Sequence, residues 1–170
     1  KKAFIGATAV YAMIPIDWQT SNYTDHQVKH ASAIAEALRE CKVKYVVSLS
    51  SQGAHLESGS GVVLGLHKME SLFNKIEGIH TLHLRATYFM ENSLGMIGLI
   101  KQAGIMGSPV KADLSFPVIA TKDIGNYAAR RLLALDFKGH NTQNLLGPRE
   151  VSYPEIAKVY GAAIGKKDLK

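Results

Sequence analysis

Histidine and serine carry the reactive candidates in this chain. His26 and His30 stand four residues apart, a spacing that would put two imidazoles on one helix face as a metal site requires, but no H-E-x-x-H pattern completes it. His67 sits near Glu70. Its imidazole, titrating near neutrality, is a candidate proton donor to a substrate carbonyl, and equally a helix-surface histidine beside that carboxylate. His80 and His83 are an odd number of residues apart in a strand-like run, so they face opposite sides. Ser50 and Ser51 close a β-branched run, at the end of a strand where open parallel sheets gather ligands. Each could face a ligand or satisfy local backbone groups. Serine-nucleophile hydrolysis is excluded, because no G-x-S-x-G elbow occurs and Leu49 stands where the first glycine would. The nearest approach to a dinucleotide fingerprint, Gly59-Ser-Gly61-Val-Val-Leu64-Gly65, misses its third glycine by one position.

Alternating patterns place these residues. Val10 to Ile14 is a short apolar run closed by Pro15, as in a strand buried on both faces. Thr24-Asp-His-Gln27 has capping-box spacing. Val28, Ala31, Ile34, Ala35 and Leu38 follow at helical period, which predicts a helix of about five turns. Val43 to Ser51 is a strand rich in β-branched and aromatic residues. Leu66, Met69, Leu72, Phe73 and Ile76 predict a helix over residues 63–77, stopped by Gly78, and Ile79 to Leu84 predicts the next strand. Glu91-Asn-Ser93 opens a helical stretch from Leu94 to Gln102 that Gly95 and Gly98 weaken. Phe116 to Ala120 predicts a strand, followed by a helix with Thr121 as N-cap. Asn144 to Leu146 predicts a small strand, and Ser152-Tyr-Pro-Glu155 is a second capping box, starting a last helix that runs to about Gly165. Strand and helix alternate throughout, the pattern of a parallel sheet with crossover helices.

Composition narrows the partners. The 170 residues, 46% hydrophobic and 20% charged, suit one globular domain over 1–170. The formal charge of +6 is concentrated at Lys1, Lys2, Lys166, Lys167 and Lys170; without these and Asp168 the body holds 15 basic and 13 acidic residues. A nucleic-acid-binding face is therefore not expected. No apolar run approaches the ~18 residues of a membrane span, and no secretory signal is evident, so a cytoplasmic, soluble protein is expected. The single Cys41 rules out an internal disulfide and agrees with a reducing compartment.

Five segments taken together carry a resemblance: Thr8-Ala-Val-Tyr-Ala-Met-Ile-Pro15, Val43 to Ser51, Leu82-His-Leu-Arg-Ala-Thr-Tyr-Phe-Met-Glu-Asn92, Phe116 to Leu133, and Leu145 to Gly165. In order and spacing they resemble the NmrA-like branch of the atypical short-chain dehydrogenase/reductases. That resemblance implies a Rossmann-like α/β fold, a parallel sheet with flanking helices and a small C-terminal α/β substrate region. It also implies an incomplete sheet: by the family pattern the chain starts near the fourth strand, without the first three strands and the Gly-rich turn that holds the cofactor's pyrophosphate.

The implied cofactor is NADP or NAD, and the implied activity is NAD(P)H-dependent reduction of a quinone or azo-type small-molecule acceptor. Two alternatives stand beside it, a cofactor-sensing regulatory module and a truncated, partner-dependent chain that binds no dinucleotide by itself. Carried over residue by residue, Met13, Ile14 and Pro15 lie beside the cofactor's ribose, with Ser50 and Ser51 at the neighbouring strand end. Tyr88 and Phe89 border the acceptor or belong to the core. Many short-chain reductases pair that serine with a Tyr and a Lys four residues apart on the next helix, but residues 63–77 contain no Tyr. His67 and Lys68 are the nearest polar candidates, and the catalytic group is left open. In the family's strand order Val10–Ile14 would be an uncharged sheet edge, which leads us to expect a homo-oligomer.

Overall fold

β-Branched runs and amphipathic stretches alternate along the chain, and each finds its partner in one of two compact units. The computed structural model describes residues 1–17, 19–108 and 110–169; Lys170, one of the terminal lysines, lies outside them. In chain order the elements are β1 (Ala9–Ala12), α1 (Tyr23–Glu40), β2 (Tyr45–Ser51), α2 (Leu64–Asn74), β3 (His80–Ala86), β4 (Tyr88–Phe89), α3 (Ile97–Ala103), β5 (Ser115–Ile119), α4 (Thr121–Ala134), β6 (His140–Leu145), β7 (Glu150–Ser152) and α5 (Tyr153–Ile164). One unit comprises Lys1–Ala86 with Ile124–Leu145, the other Thr87–Asp123 with Leu146–Lys170.

The first unit is an α/β layer structure of Rossmann type. Its sheet has the order β1-β2-β3-β6 with every pair parallel, as the strand–helix alternation predicts. The register sets Val46 beside Thr81, Ser48 beside His83 and Ser50 beside Arg85. Because side chains alternate across a strand, these six share one face. Val10, Ala12 and Val46 on that face pack with Ala31, Ala35 and Leu38 of α1 and Met69 and Phe73 of α2 in one core cluster. On the opposite face Val47, Leu82 and Leu84 are buried, and Tyr45 meets Phe137 edge-on, ring centroids 5.5 Å apart.

Helix α1 meets α2 at Gly65, where a Cβ would strike the side chain of Gln27. The cap of α1 differs from expectation. Asn22, in extended conformation, accepts the Asp25 N–H at 3.1 Å, so Thr24 lies inside the first turn. Gln27 rather than Val28 is the buried residue of that turn. Helix α2 closes at Asn74, before Gly78, and the Asn74 side chain there bonds Thr81 and His83 of β3. The predicted strand 144–146 is the end of a longer one, β6, which forms the fourth strand of the sheet. Among the described residues no helix is long and apolar enough to cross a membrane.

The second unit holds a small sheet of order β4-β5-β7, parallel between β4 and β5 and antiparallel between β5 and β7. Gly147 lies against β5 so closely that a Cβ would collide with the Val118 carbonyl. The weakened stretch after Glu91 forms a 3-10 segment, Met90–Met96, before α3. Thr121 is the first residue of α4 rather than its N-cap. Its N–H and hydroxyl both donate to Glu91 (3.0 and 2.6 Å), which holds that carboxyl below its usual range. Helix α5 is capped as expected: Glu155 accepts the Ser152 N–H at 2.8 Å, and Gly165 ends the helix in left-handed conformation.

Candidate functional site

The carboxyl ends of β1 and β2 are neighbours in the first unit, and the residues expected to meet a dinucleotide sit there in three different ways. Met13 (55% exposed) and Pro15 are open, whereas Ile14 is turned into the core. The Pro15 carbonyl accepts from His26 Nε2 at 3.1 Å, which pins the segment leaving β1 to the first turn of α1. Ser51 is half-buried and its hydroxyl donates to the Gln52 carbonyl. Ser50 is buried, and its hydroxyl donates to Glu70 Oε1 at 2.6 Å.

That last contact belongs to a cluster that sequence reasoning missed. Glu70 is buried, and it accepts two bonds from the Arg85 guanidinium, Nε to Oε1 at 3.0 Å and an Nη to Oε2 at 2.6 Å. The bond to Glu70 raises the Arg85 pKa. Fork-to-fork pairing with a third donor from Ser50 satisfies a charge that could not otherwise stay buried.

One pair of residues further into the sheet lies a second cluster. Asn74 Oδ1 accepts from the Thr81 hydroxyl (2.8 Å) and from His83 Nε2 (2.9 Å), so neutral His83 accepts the Ser48 hydroxyl at Nδ1 (2.6 Å). Thr81 in turn accepts from His140 Nδ1 at 3.1 Å. The connectivity imitates a Ser–His–Asn triad, but Ser48 and His83 have no exposed surface, so this serine meets no substrate. Burial pushes the His83 pKa down to about 4; Glu70 opposes the shift, and Arg85 and His140 add to it.

A sequence signal for both clusters exists. Ser48 and Ser50 alternate with apolar residues in β2, as Thr81, His83 and Arg85 do in β3, and Glu70 and Asn74 are one turn apart on α2. A polar stripe in a strand that faces a polar stripe on a helix implies pairing.

His67 is half-buried, and its Nδ1 donates to the Ala54 carbonyl at 2.9 Å. His26 and His30 rings are 4.2 Å apart, with His30 Nδ1 bonded to the His26 carbonyl. Among the described residues no group of three or more His, Cys, Asp or Glu could hold a metal. Gly59 and Gly61 adopt left-handed φ (+74° and +55°), while Gly65 is in the helix. In the second unit Tyr88 is 38% exposed and its hydroxyl bonds that of Tyr153 at 3.2 Å. Both rings pack on Phe116, and burial followed by the Tyr153 contact raises the Tyr88 pKa to about 12. Phe89 is half-buried in the same short strand.

No protein-family model matches the chain. Among curated proteins it is similar to festuclavine dehydrogenase easG of Aspergillus fumigatus, 28% identical over 135 residues, covering 74% of this chain and 46% of that protein. Among solved structures it is similar to the triphenylmethane reductase of Citrobacter sp., at 20% identity and TM-score 0.75, covering 99% of this chain and 56% of the other. That enzyme has also been solved with NADP(H). It is similar as well to the NADPH-dependent quinone oxidoreductase QOR2 of Escherichia coli solved with NADPH, at 17% identity and TM-score 0.77, covering 98% and 55%. The chain thus spans about half the length of the relatives it matches.

The class these likenesses define is a fold, the Rossmann-type α/β domain, which the chain shares with these two reductases and with a nucleoside-diphosphate-sugar epimerase of Staphylococcus aureus. Within that class the chain is similar to the atypical short-chain dehydrogenase/reductases of NmrA-like type, as its motifs imply.

Proposed function

We propose that this chain provides the nicotinamide side of an NAD(P)H-dependent oxidoreductase that acts on a quinone-like or azo-type acceptor. One observation carries the reading: β1 and β2 run parallel and adjacent, and their carboxyl ends leave Met13, Pro15 and Ser51 accessible, where doubly wound sheets bind ligands. Neighbours of the same fold have been solved with NADP(H), NADPH or NAD. The cofactor would supply the hydride, and these residues would hold its ribose and ring. Tyr88 and Phe89 remain the proposed acceptor contacts.

The pyrophosphate turn of such sites contributes two or three charge-assisted backbone hydrogen bonds, together roughly 3–9 kcal/mol, and ~4 kcal/mol already separates a micromolar from a millimolar site. Among the described residues no such Gly-rich turn follows a strand and opens a helix. The chain should therefore hold NADPH at about millimolar Kd rather than micromolar. NMR titration should move the amides of Met13, Ile14 and Ser51 in that range. A micromolar constant would assign the pyrophosphate to the Gly59–Gly65 loop, and no movement at those amides would overturn the reading.

A second reading, a cofactor-sensing module without chemistry, is favoured by the missing proton donor. Helix α2 has no Tyr, the Ser50 hydroxyl is committed to Glu70, and His67 donates Nδ1–H to Ala54. Steady NADPH oxidation with a quinone by an assembled site would exclude it.

The proposed partner is a second copy. Strand β1 is a sheet edge, and Tyr11, Met13 and Ile16 beside it are 40%, 55% and 60% exposed without a charge from Thr8 to Ile16. Light scattering at micromolar concentration should report twice 18.5 kDa. Tyr11→Lys, an exposed position unlike buried Ala12, should return the monomer; a wild-type monomer would refute strand pairing.

A further inference from the structure

In the second unit, the loop after α3, the first turns of α5 and the segment after α5 line an open cavity of about 640 Å³. Small-molecule sites span roughly 300–1,000 Å³. Met106, Val110, Ala157 and Leu169 supply apolar wall, and the Tyr153 ring forms one side.

These walls are held in place. Tyr153 is fixed at its hydroxyl by Tyr88 and on its ring by Phe116, centroids 5.4 Å apart. The segment carrying Lys167 to Leu169 is folded back on α5: the Lys166 N–H donates to the Gly161 carbonyl at 2.8 Å. Gly161 is also where that segment comes closest, since a Cβ there would collide with the Lys166 carbonyl and stand 3.2 Å from Leu169 Cβ. Leu169 is buried as a result.

Charge at the rim is uneven. Lys158, Lys167, Glu155 and Asp168 line the cavity. Glu155 is already committed, accepting from the Ser152 N–H and from Arg149 at 3.0 Å, contacts that lower its pKa. The N-terminus of α5 is thereby capped by its own carboxylate and offers no anion site. Two lysines then face one aspartate, an excess of one positive charge.

We propose that this cavity binds a flat, apolar monoanion: an aromatic system of about two fused rings bearing one carboxylate or sulfonate. The rings lie against Tyr153 and Leu169, and the anion sits at Lys158 and Lys167. The proposal is independent of dinucleotide binding, since every residue it uses belongs to the second unit and none is assigned to the cofactor.

The test pairs two probes of one shape, naphthalene-2-sulfonate and its uncharged sulfonamide. Titrated into the whole chain at low salt, the sulfonate should move the Met106 methyl and Tyr153 ring resonances and bind about tenfold tighter than the sulfonamide. Lys158 and Lys167 are both exposed, so Lys158→Gln with Lys167→Gln should leave the fold intact while abolishing that preference and keeping weak sulfonamide binding. Equal affinity for the two probes, shifts confined to other methyl groups, a preference that survives the double variant, or no binding of either probe would each overturn the proposal.

Discussion

Arg85→Met should destabilise the chain by about 3–5 kcal/mol, the usual consequence of leaving one member of a buried ion pair without its partner. The Arg85 and Glu70 side chains retain only 18% and 7% of their exposure, and the guanidinium covers both carboxylate oxygens. With the arginine gone, Ser50 alone faces a charge shut away from water. A domain of this size has ~5–15 kcal/mol in total, so the loss is a large share of it. Glu70→Gln alone should be milder, because a neutral amide keeps an acceptor for Ser50. The double variant Glu70→Gln/Arg85→Met should recover most of the single Arg85→Met loss, since the uncompensated charge disappears with the pair. Urea denaturation midpoints at neutral pH read all three. A loss below about 1 kcal/mol for Arg85→Met would mean that solvent already screens the pair.

The position of this pair bears on function as well. Ser50 and Arg85 are register partners one step from the carboxyl ends of β2 and β3, and Ser51 is the next residue. Glu70 thus ties α2 to both strand ends where the cofactor is proposed to lie. A serine that looks ligand-facing from its strand-end position instead donates inward. Its even-numbered place in β2 puts it on the α2 side of the sheet, with Ser48.

How far the sequence discloses the fold depends on how local each determinant is. Strand β2 is legible because Tyr45, Val46 and Val47 are strong strand formers, and α5 because Ser152, Pro154 and Glu155 write their cap within four residues. Strand β6 is nearly silent. His140-Asn-Thr-Gln-Asn144 is polar, and an edge strand with exposed side chains has no hydrophobic alternation to display. Strands β4 and β7, two and three residues long, are fixed by pairing with β5 and carry no pattern of their own. The sequence leaves the N-cap of α1 ambiguous, because Thr24 and Asn22 both have capping side chains within one turn. Only the extended backbone at Asn22 decides between them. Near the candidate site, the end of β2 at Ser51 is legible from residue type and position. The Glu70–Arg85 and Ser48–His83 pairings required the β2–β3 register, a long-range fact that residue spacing does not contain.

His83 gives the second large effect, and its direction follows from linkage. In the folded chain burial holds its pKa at about 4, against an unfolded value near 6.5. Between those limits the unfolded chain takes up a proton that folded His83 refuses, so stability falls as the pH drops. The contribution is fully present above about pH 6.5, is lost progressively toward pH 4, and levels off below, for a total of about 3 kcal/mol. The structural reason is that a protonated imidazole would present Nδ1–H to the Ser48 hydroxyl, which would have to accept it and give up its own hydrogen bond to the ring in a fully buried position. Glu70 favours the protonated ring, but Arg85, paired with that carboxylate, and His140 act against it, so burial prevails. His83→Gln supplies an amide donor and acceptor without a titrating group. Its stability at neutral pH should fall, by an amount set by packing against Phe73, but the slope between pH 6.5 and 4 should flatten relative to wild type. Urea unfolding at a series of pH values measures the difference, which cancels the titration of the other histidines. Parallel profiles for the two proteins would show that His83 titrates normally and that Ser48, Asn74 and the imidazole are not locked together as the distances indicate.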